Sequence, residues 1–223
     1  MIYALVDGAR SRAVPRGRAS CPDCSQTMIA KCGPIVCWHW AHAVGSDCEP
    51  WSEPESAWHL GWKERFLLAG CQVEVPIVRD GERHRADVVL PGGRIVELQH
   101  GYLSPDAIWQ REAFYRDVVW LYDAERFWDR VVIRDKAFKW LHAARSMQLH
   151  GRPRLWHVGE VVWLVEWIRS YARGTFGGMS RSIGAAELPW RMVETEQEQR
   201  SGEQDPCSAG RGVGSHVGSR SAS

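Results

Sequence analysis

The chain has 223 residues, of which 25% are charged and 44% hydrophobic; this excludes a largely disordered protein and leaves room for one ordinary domain plus a small appendage. A formal net charge of only +1 excludes nucleic-acid binding through the field of the whole molecule, so any such contact must come from a local basic patch. The longest apolar stretch, residues 158–168, is broken by Glu160 and Glu166 and falls short of the roughly 20 residues of a membrane span; with no apolar core of signal-peptide length near Met1, the expectation is a cytoplasmic protein.

In chain order, residues 1–20 combine a short apolar start with an arginine-rich loop carrying Arg10, Arg12, Arg16 and Arg18. Five of the seven cysteines follow between Cys21 and Cys48, and such clustering in a cytoplasmic chain favours metal over disulfides. Cys21-Pro22-Asp23-Cys24 puts two thiolates on one tight turn, which suits two corners of a tetrahedral zinc site. His39-Trp40-Ala41-His42 offers two imidazoles for the other two corners. The predicted zinc ligands are Cys21, Cys24, His39 and His42; Cys37 can replace either histidine, and Cys32 and Cys48 are further spares. Redox cysteines or buried structural histidines are the alternative reading. Most of the 13 tryptophans lie in apolar periodic segments and read as core, while Trp38, Trp40 and Trp51, beside the metal candidates, are the ones suited to stack on bases.

Residues 52–69 predict a helix: Trp58, Trp62, Phe66 and Ala69 recur at helical spacing, Ser52 or Glu53 can cap the start, and Gly70 ends it. Three β-type runs, 71–78, 83–90 and 94–99, are separated by Asp80-Gly81 and Pro91-Gly92-Gly93 and predict an antiparallel meander. Ser104-Pro105-Asp106 supplies an N-cap, a first-turn proline and an early acid for the next helix, and residues 118–122 read as a short buried strand. Residues 136–148 and 159–171 predict helices, and the stretch from Thr195 onward has almost nothing to bury and predicts disorder.

Asp87 falls on the second strand of the meander, Glu97 and Gln99 on the third. Alternation places Glu97 and Gln99 on one face, and hairpin pairing can bring Asp87 beside them. The result is a carboxylate pair for a hard cation, Mg²⁺ or Mn²⁺. Glu55 is a candidate third acid, because Glu55, His59 and Lys63 lie on one helix face at successive i, i+4 steps. Any single acid reads more simply as solvated. Asp87 and Glu97, however, sit among Ala86, Val88, Val89, Ile95, Val96 and Leu98, where an unpaired charge is costly.

Taken in order, these residues resemble the competence protein CoiA-like family, whose members join an N-terminal CPxC and HFAH module to a nuclease core of the PD-(D/E)XK type. Cys21-Pro22-Asp23-Cys24 and His39-Trp40-Ala41-His42 match the module, with Trp40 in place of phenylalanine. Glu55-Ser56-Ala57-Trp58-His59 followed by Lys63, Arg85-Ala86-Asp87-Val88 and Glu97-Leu98-Gln99 match the core, and Ser104, Ile108, Arg111 and Tyr115 are similar to its next helix. The resemblance covers about residues 4–122.

It implies an active-site set of Glu55, Asp87, Glu97 and Gln99, with Gln99 where many related nucleases carry lysine; Lys63, on the same helix face as Glu55, is our own candidate for the missing positive charge. It also implies DNA as substrate and a link to DNA uptake, recombination or mobile elements. The expected fold is α/β: a restriction-endonuclease-like mixed sheet flanked by helices, with a zinc-ribbon-like N-terminal module and a helical C-terminal extension. The expected divisions are a zinc module at 1–50, a nuclease-like core at 51–135, the helical extension at 136–194 and a disordered tail at 195–223. The competing expectation is a non-catalytic DNA-binding or recombination-accessory protein that grips the backbone with the zinc module and the arginine arm.

Overall fold

The computed structural model describes residues 1–35, 38–43, 48, 51, 56–142, 152–170 and 175–203. The N-terminal part is a small antiparallel sheet of β1 (Tyr3–Val6), β2 (Ala9–Arg12), β3 (Arg18–Ser20), β4 (Thr27–Lys31) and β5 (His39–His42), in the order β2-β1-β3-β4-β5. The arginine-rich segment expected as a loop is therefore partly strand. Asp7 and Gly8 both take positive φ, 50° and 81°, the conformation that a two-residue hairpin turn demands. Ala4, Ala13, Cys21, Met28 and Trp40 form the small core. Trp40 is thus a core residue, its Nε1–H donating to Ser11 O, and not a free stacking face. Gly17 lies so close beneath its ring that a Cβ would meet it at 2.9 Å.

The larger unit is one nine-stranded sheet. Its elements are α1 (Ala57–Leu68), β6 (Gln72–Arg79), β7 (Glu82–Val89), β8 (Ile95–Gln99), α2 (Pro105–Tyr115), β9 (Val118–Asp123), β10 (Val131–Arg134), β11 (Ala137–Leu141), β12 (Arg154–Val158), β13 (Val161–Ser170), β14 (Thr175–Gly184) and α3 (Leu188–Glu203). The strand order is β10-β11-β14-β13-β12-β9-β8-β7-β6. β8, β9 and β12 run parallel at the centre, and the remaining pairs are antiparallel. Trp62 and Phe66 of α1 and Leu188 and Val193 of α3 pack on one face, over Val88, Val96, Leu98, Val119 and Leu121. On the other face Ile108, Phe114 and Tyr115 of α2 pack over Ile95, Val118, Trp120 and Tyr122. Among the described residues no helix is long and apolar enough to cross a membrane.

The meander, α2 and β9 lie where the sequence places them. Ser104 caps α2 by accepting from Ala107 N–H. α1 starts later than its periodicity predicts: its cap is Ser56, which accepts from His59 N–H, while residues 52–55 lie outside the described ones. Gly70, at φ 86°, follows its end.

Three expectations are overturned. Residues 137–141, placed in a predicted helix, form β11, in which Phe138 and Trp140 are buried while their neighbours are exposed; a period of two is present but spans only five residues. Residues 161–170 form β13, not a helix. Val162 and Leu164 pack into the core beneath α1 and α3, and Trp163 and Val165 into the core on the opposite face, so this strand reads as a continuous apolar run rather than as an alternating one. Most of the expected helical extension is therefore sheet, continuous with the strands before residue 135. Lastly, the chain from Thr195 to Glu203 is the second half of α3. Its hold on the sheet is polar: Glu196, 6% exposed, accepts from Gly92 N–H at 2.6 Å, in the turn between β7 and β8.

That contact generates a stability prediction. A Cβ on Gly92 would run into the Glu196 carboxylate. Glu196→Ala and Gly92→Ala should each cost about 1–3 kcal/mol, the usual loss when a charged hydrogen bond is removed and a donor is left buried. Because both changes break one contact, the double variant should lose clearly less than the sum. Urea unfolding of the four proteins measures this, and strict additivity would show that the helix does not dock through this pair.

Candidate functional site

Two constellations stand out, and β7 touches both. The first is Cys21, Cys24, His42 and Cys48, whose ligand atoms all lie within 4.8 Å of one another. The Cys21–Cys24 turn is closed by Ser25 N–H to Cys21 O and Cys21 N–H to Gln26 O, each 2.9 Å. Cys24 Sγ is 3.3 Å and Cys48 Sγ 3.5 Å from His42 Nε2, and Cys21 Sγ is 3.8 Å from Cys48 Sγ. With Zn–S bonds near 2.3 Å, the edge of a tetrahedron is about 3.8 Å, so the donor set and its spacing fit a structural zinc. Burial and the neighbouring Cys24 and Cys21 push the Cys48 thiol up to about 12, the response of crowded sulfurs that a bound cation would relieve.

The ligand set differs from the expected one by one residue. His39 is outside the cluster and Cys48 completes it. His39 and His42 are three apart on β5, so alternation turns their side chains to opposite faces. Cys37 lies outside the described residues, and Cys32 packs against the small core.

Asp23, between the two thiols of the turn, fastens this centre to the large sheet. Its carboxylate pairs with Arg85 and, at 3.1 Å, with Arg83 of β7; Arg83 also donates to Pro22 O at 3.0 Å. Arg10 and Arg12 of the expected arginine arm are exposed yet engaged within the chain, Arg10 donating to Val73 O and Arg12 to Glu64.

The second constellation lies where β7 and β8 separate. The ladder pairs Val88 with Val96 and Val89 with Ile95, so the next step sets Asp87 opposite Glu97. There side chains replace backbone bonding: Asp87 Oδ2 accepts from Leu98 N–H at 3.0 Å, and Glu97 Oε1 lies 3.4 Å from Asp87 N. From α1, Lys63 sends its ammonium to within 3.3 Å of both Asp87 Oδ1 and Glu74 Oε1. From α2, Arg111 reaches Glu97 Oε2 at 3.2 Å. Lys63, Glu74, Glu97 and Arg111 are all nearly inaccessible, whereas the Asp87 side chain is 24% exposed and forms the open side of the group.

Burial and the adjacent Asp87 push the Glu97 carboxyl up to about 8, against the opposing pull of Arg111. The two carboxylates face each other at the opening of the strands, the Glu97 carboxyl raised first by burial and then by Asp87. His59 braces the group: its Nε2 lies 3.2 Å from Leu98 O and its Nδ1 2.9 Å from Ser56 Oγ, so Nε2–H donates to the carbonyl and Nδ1 accepts from the hydroxyl. The face carrying His59 and Lys63 therefore looks onto the sheet. Gln99, 1% exposed, donates from Nε2 to Gly101 O at 3.1 Å. Glu55 lies outside the described residues. Of the proposed stacking tryptophans, Trp51 lies flat on His84 with centroids 3.3 Å apart, and Trp38 is half exposed.

Sequence reasoning missed Glu74, Asp23 and the role of Cys48. For Asp23 the signal was an acid inside the CxxC turn with two arginines on one later strand. Glu74 offered only an acid within an apolar strand.

Residues 15–50 match the family described as Competence protein CoiA, N-terminal domain. The matched segment contains all four members of the Cys/His cluster. No curated protein and no solved structure matches the chain.

Two predictions follow from this geometry. Purified protein should carry about one zinc per chain; Cys48→Ser should lose it and His39→Ala should keep it, as elemental analysis would read. Retention by Cys48→Ser together with loss by His39→Ala would restore the set expected from sequence. The second concerns Glu97. Its folded pKa lies above its unfolded value of about 4.5, so its stabilising contribution is complete below that pH and is lost as pH rises through about 8. In EDTA, Glu97→Gln should gain in melting temperature relative to wild type from about pH 5 to pH 8.5, then level off. Parallel pH profiles would show that Glu97 is ionised throughout.

Proposed function

We propose that this chain is a CoiA-like, metal-dependent deoxyribonuclease-type protein with a restriction-endonuclease-like core, acting on DNA phosphodiester bonds in uptake, recombination or mobile-element processing. One observation carries the reading: Asp87 and Glu97 meet at the opening between two strands, beside a buried lysine and beneath one partly open side. Asp87 and Glu97 would hold Mg²⁺ or Mn²⁺, which when bound supplies a water activated for attack and offsets charge on the phosphodiester oxygens. Lys63, 3.3 Å from Asp87, adds the positive charge that Gln99 lacks. Gln99, its amide oriented by Gly101 O, positions water or substrate by hydrogen bonds alone. Glu55 assists as a third acid in this reading.

A second reading has its own support. Lys63 and Arg111 already neutralise Asp87 and Glu97 from within the chain, as in a non-catalytic DNA-binding or recombination-accessory protein that keeps its acids as structural ion pairs.

Cleavage of single- and double-stranded DNA with Mg²⁺, Mn²⁺ or EDTA separates the two. Asp87→Ala and Glu97→Ala should abolish cutting, Gln99→Ala should lower it about 10- to 1000-fold, and Gln99→Lys should retain it, each variant first being shown to fold and bind DNA. Equal cutting by all three alanine variants would put the active site elsewhere. A wild type that never cuts with either metal would favour the accessory protein.

A further inference from the structure

Gln99 belongs to two places at once. It ends β8 two residues beyond Glu97, and it also lines a cavity of about 290 Å³ at the carboxyl ends of the parallel strands β8 and β9. Openings at the carboxyl ends of parallel strands are where α/β sheets take ligands, and this volume is at the small end of ligand sites. The loop after β8, the loop after β9 and the end of β11 close its sides.

The lining has a definite chemistry. Its cationic groups are Arg126 and Arg130, and the imidazoles of His100 and His142 lie beside them. Its carboxylate, Asp123, is buried and taken up by His100 Nδ1 at 2.7 Å. Trp140 forms part of the wall, and among the described residues its buried Nε1–H has no acceptor. Besides Asp123 the lining offers the Gln99 amide oxygen and the Tyr122 hydroxyl as acceptors, fewer than its donors, and that balance favours a ligand that brings acceptors. Tyr102 and Phe127, the latter backed by Trp140 with ring centroids 4.3 Å apart, add a second requirement, a flat ring to stack against. Tyr102 is 70% exposed and stands at the mouth.

We propose that this cavity receives one unpaired nucleotide of the strand held at the Asp87–Glu97 site, its base against Tyr102 and Phe127 and its phosphate on Arg126 and Arg130. The inference deepens the nuclease reading and rests on it for the strand's position. A duplex hides its base faces in the stack, whereas an unpaired base offers both faces together with carbonyl and ring-nitrogen acceptors. The site is thus built for a single-stranded end or flap next to the acid pair.

Binding in EDTA tests this without cleavage. Short single-stranded DNA, single-stranded RNA and blunt duplex DNA, the single strands carrying 2-aminopurine, are titrated by fluorescence anisotropy and by quenching. Single strands should bind at least about 10-fold more tightly than blunt duplex, with the fluorophore quenched by stacking. Tyr102→Ala should abolish quenching and weaken binding about 5-fold or more, while Tyr102→Phe should retain both. Arg126→Ala and Arg130→Ala should each weaken binding about 3- to 10-fold and reduce the slope of log affinity against log salt by about 0.7, the contribution of one single-strand phosphate. The DNA and RNA arms show which sugar the site prefers. Duplex binding as tight as single-strand binding, or an unchanged affinity and quench in the tyrosine and arginine variants, would overturn the inference. The two readings fail separately: cleavage that survives with no effect of Tyr102, Arg126 or Arg130 sinks the nucleotide cavity alone, and single-strand binding with the expected variant effects but no cleavage sinks the nuclease alone.

Discussion

The structure turns on a buried ammonium. Lys63 Nζ sits between Glu74 and Asp87, 3.3 Å from each, and a charge so enclosed is tolerable only when it is paired. Glu74 pays back in three directions, accepting from Ile2 and Tyr3 N–H as well as from Lys63. Burial alone would raise its pKa; Lys63, the N-terminal amine and the two backbone donors together hold its carboxyl below the usual range. β1, α1, β6 and β7 therefore meet at one ionic node, and removing Glu74 would take away the most deeply buried partner of Lys63.

The node also explains a local irregularity of the sheet. Glu74 adopts φ 51° in the middle of β6, a left-handed conformation uncommon for a non-glycine residue. The ladder pairs Val73 with Val88 and Val75 with Ala86, so the kink stands opposite Asp87. Facing changes here: Val88 packs on the α1 side and Ala86, two residues away, on the α2 side. This change lets Asp87 reach Lys63 above the sheet while it remains beside Glu97, whose partner Arg111 lies below. Along the same strand Arg83 and Arg85 hold the turn of the Cys/His cluster. β7 thus joins the Cys/His cluster and the acid pair through a single strand.

What was legible in the sequence was local. Asp80 and Gly81 carry the positive φ of their turn, Ser104 caps its helix, and alternation within a hairpin is enough to bring Asp87 and Glu97 together. What was not legible depended on distant partners. Glu74 reaches Lys63 only through a backbone conformation that no residue type announces. His39 is close to Cys21 and Cys24 in spacing, yet strand alternation removes it and brings in Cys48 from a later loop. β13 is apolar on both faces over residues 162–165, which join the two core clusters alternately, a pattern that a buried helix shares. The tail composition hid one docked face, because Glu196 is anchored by a charge rather than by a hydrocarbon.

The strand order leaves β6 and β10 at the margins of a nine-stranded sheet, and such margins offer unpaired backbone to any other extended chain. Neither is inviting. β10 has four residues, too few to template a long ladder. β6 is twice that length, but the kink at Glu74 bends it and Pro76, which has no N–H to offer, follows within two residues. The backbone distortion that serves the ionic node therefore also breaks the regular course of the longer marginal strand, which makes it a poorer template for a second extended chain.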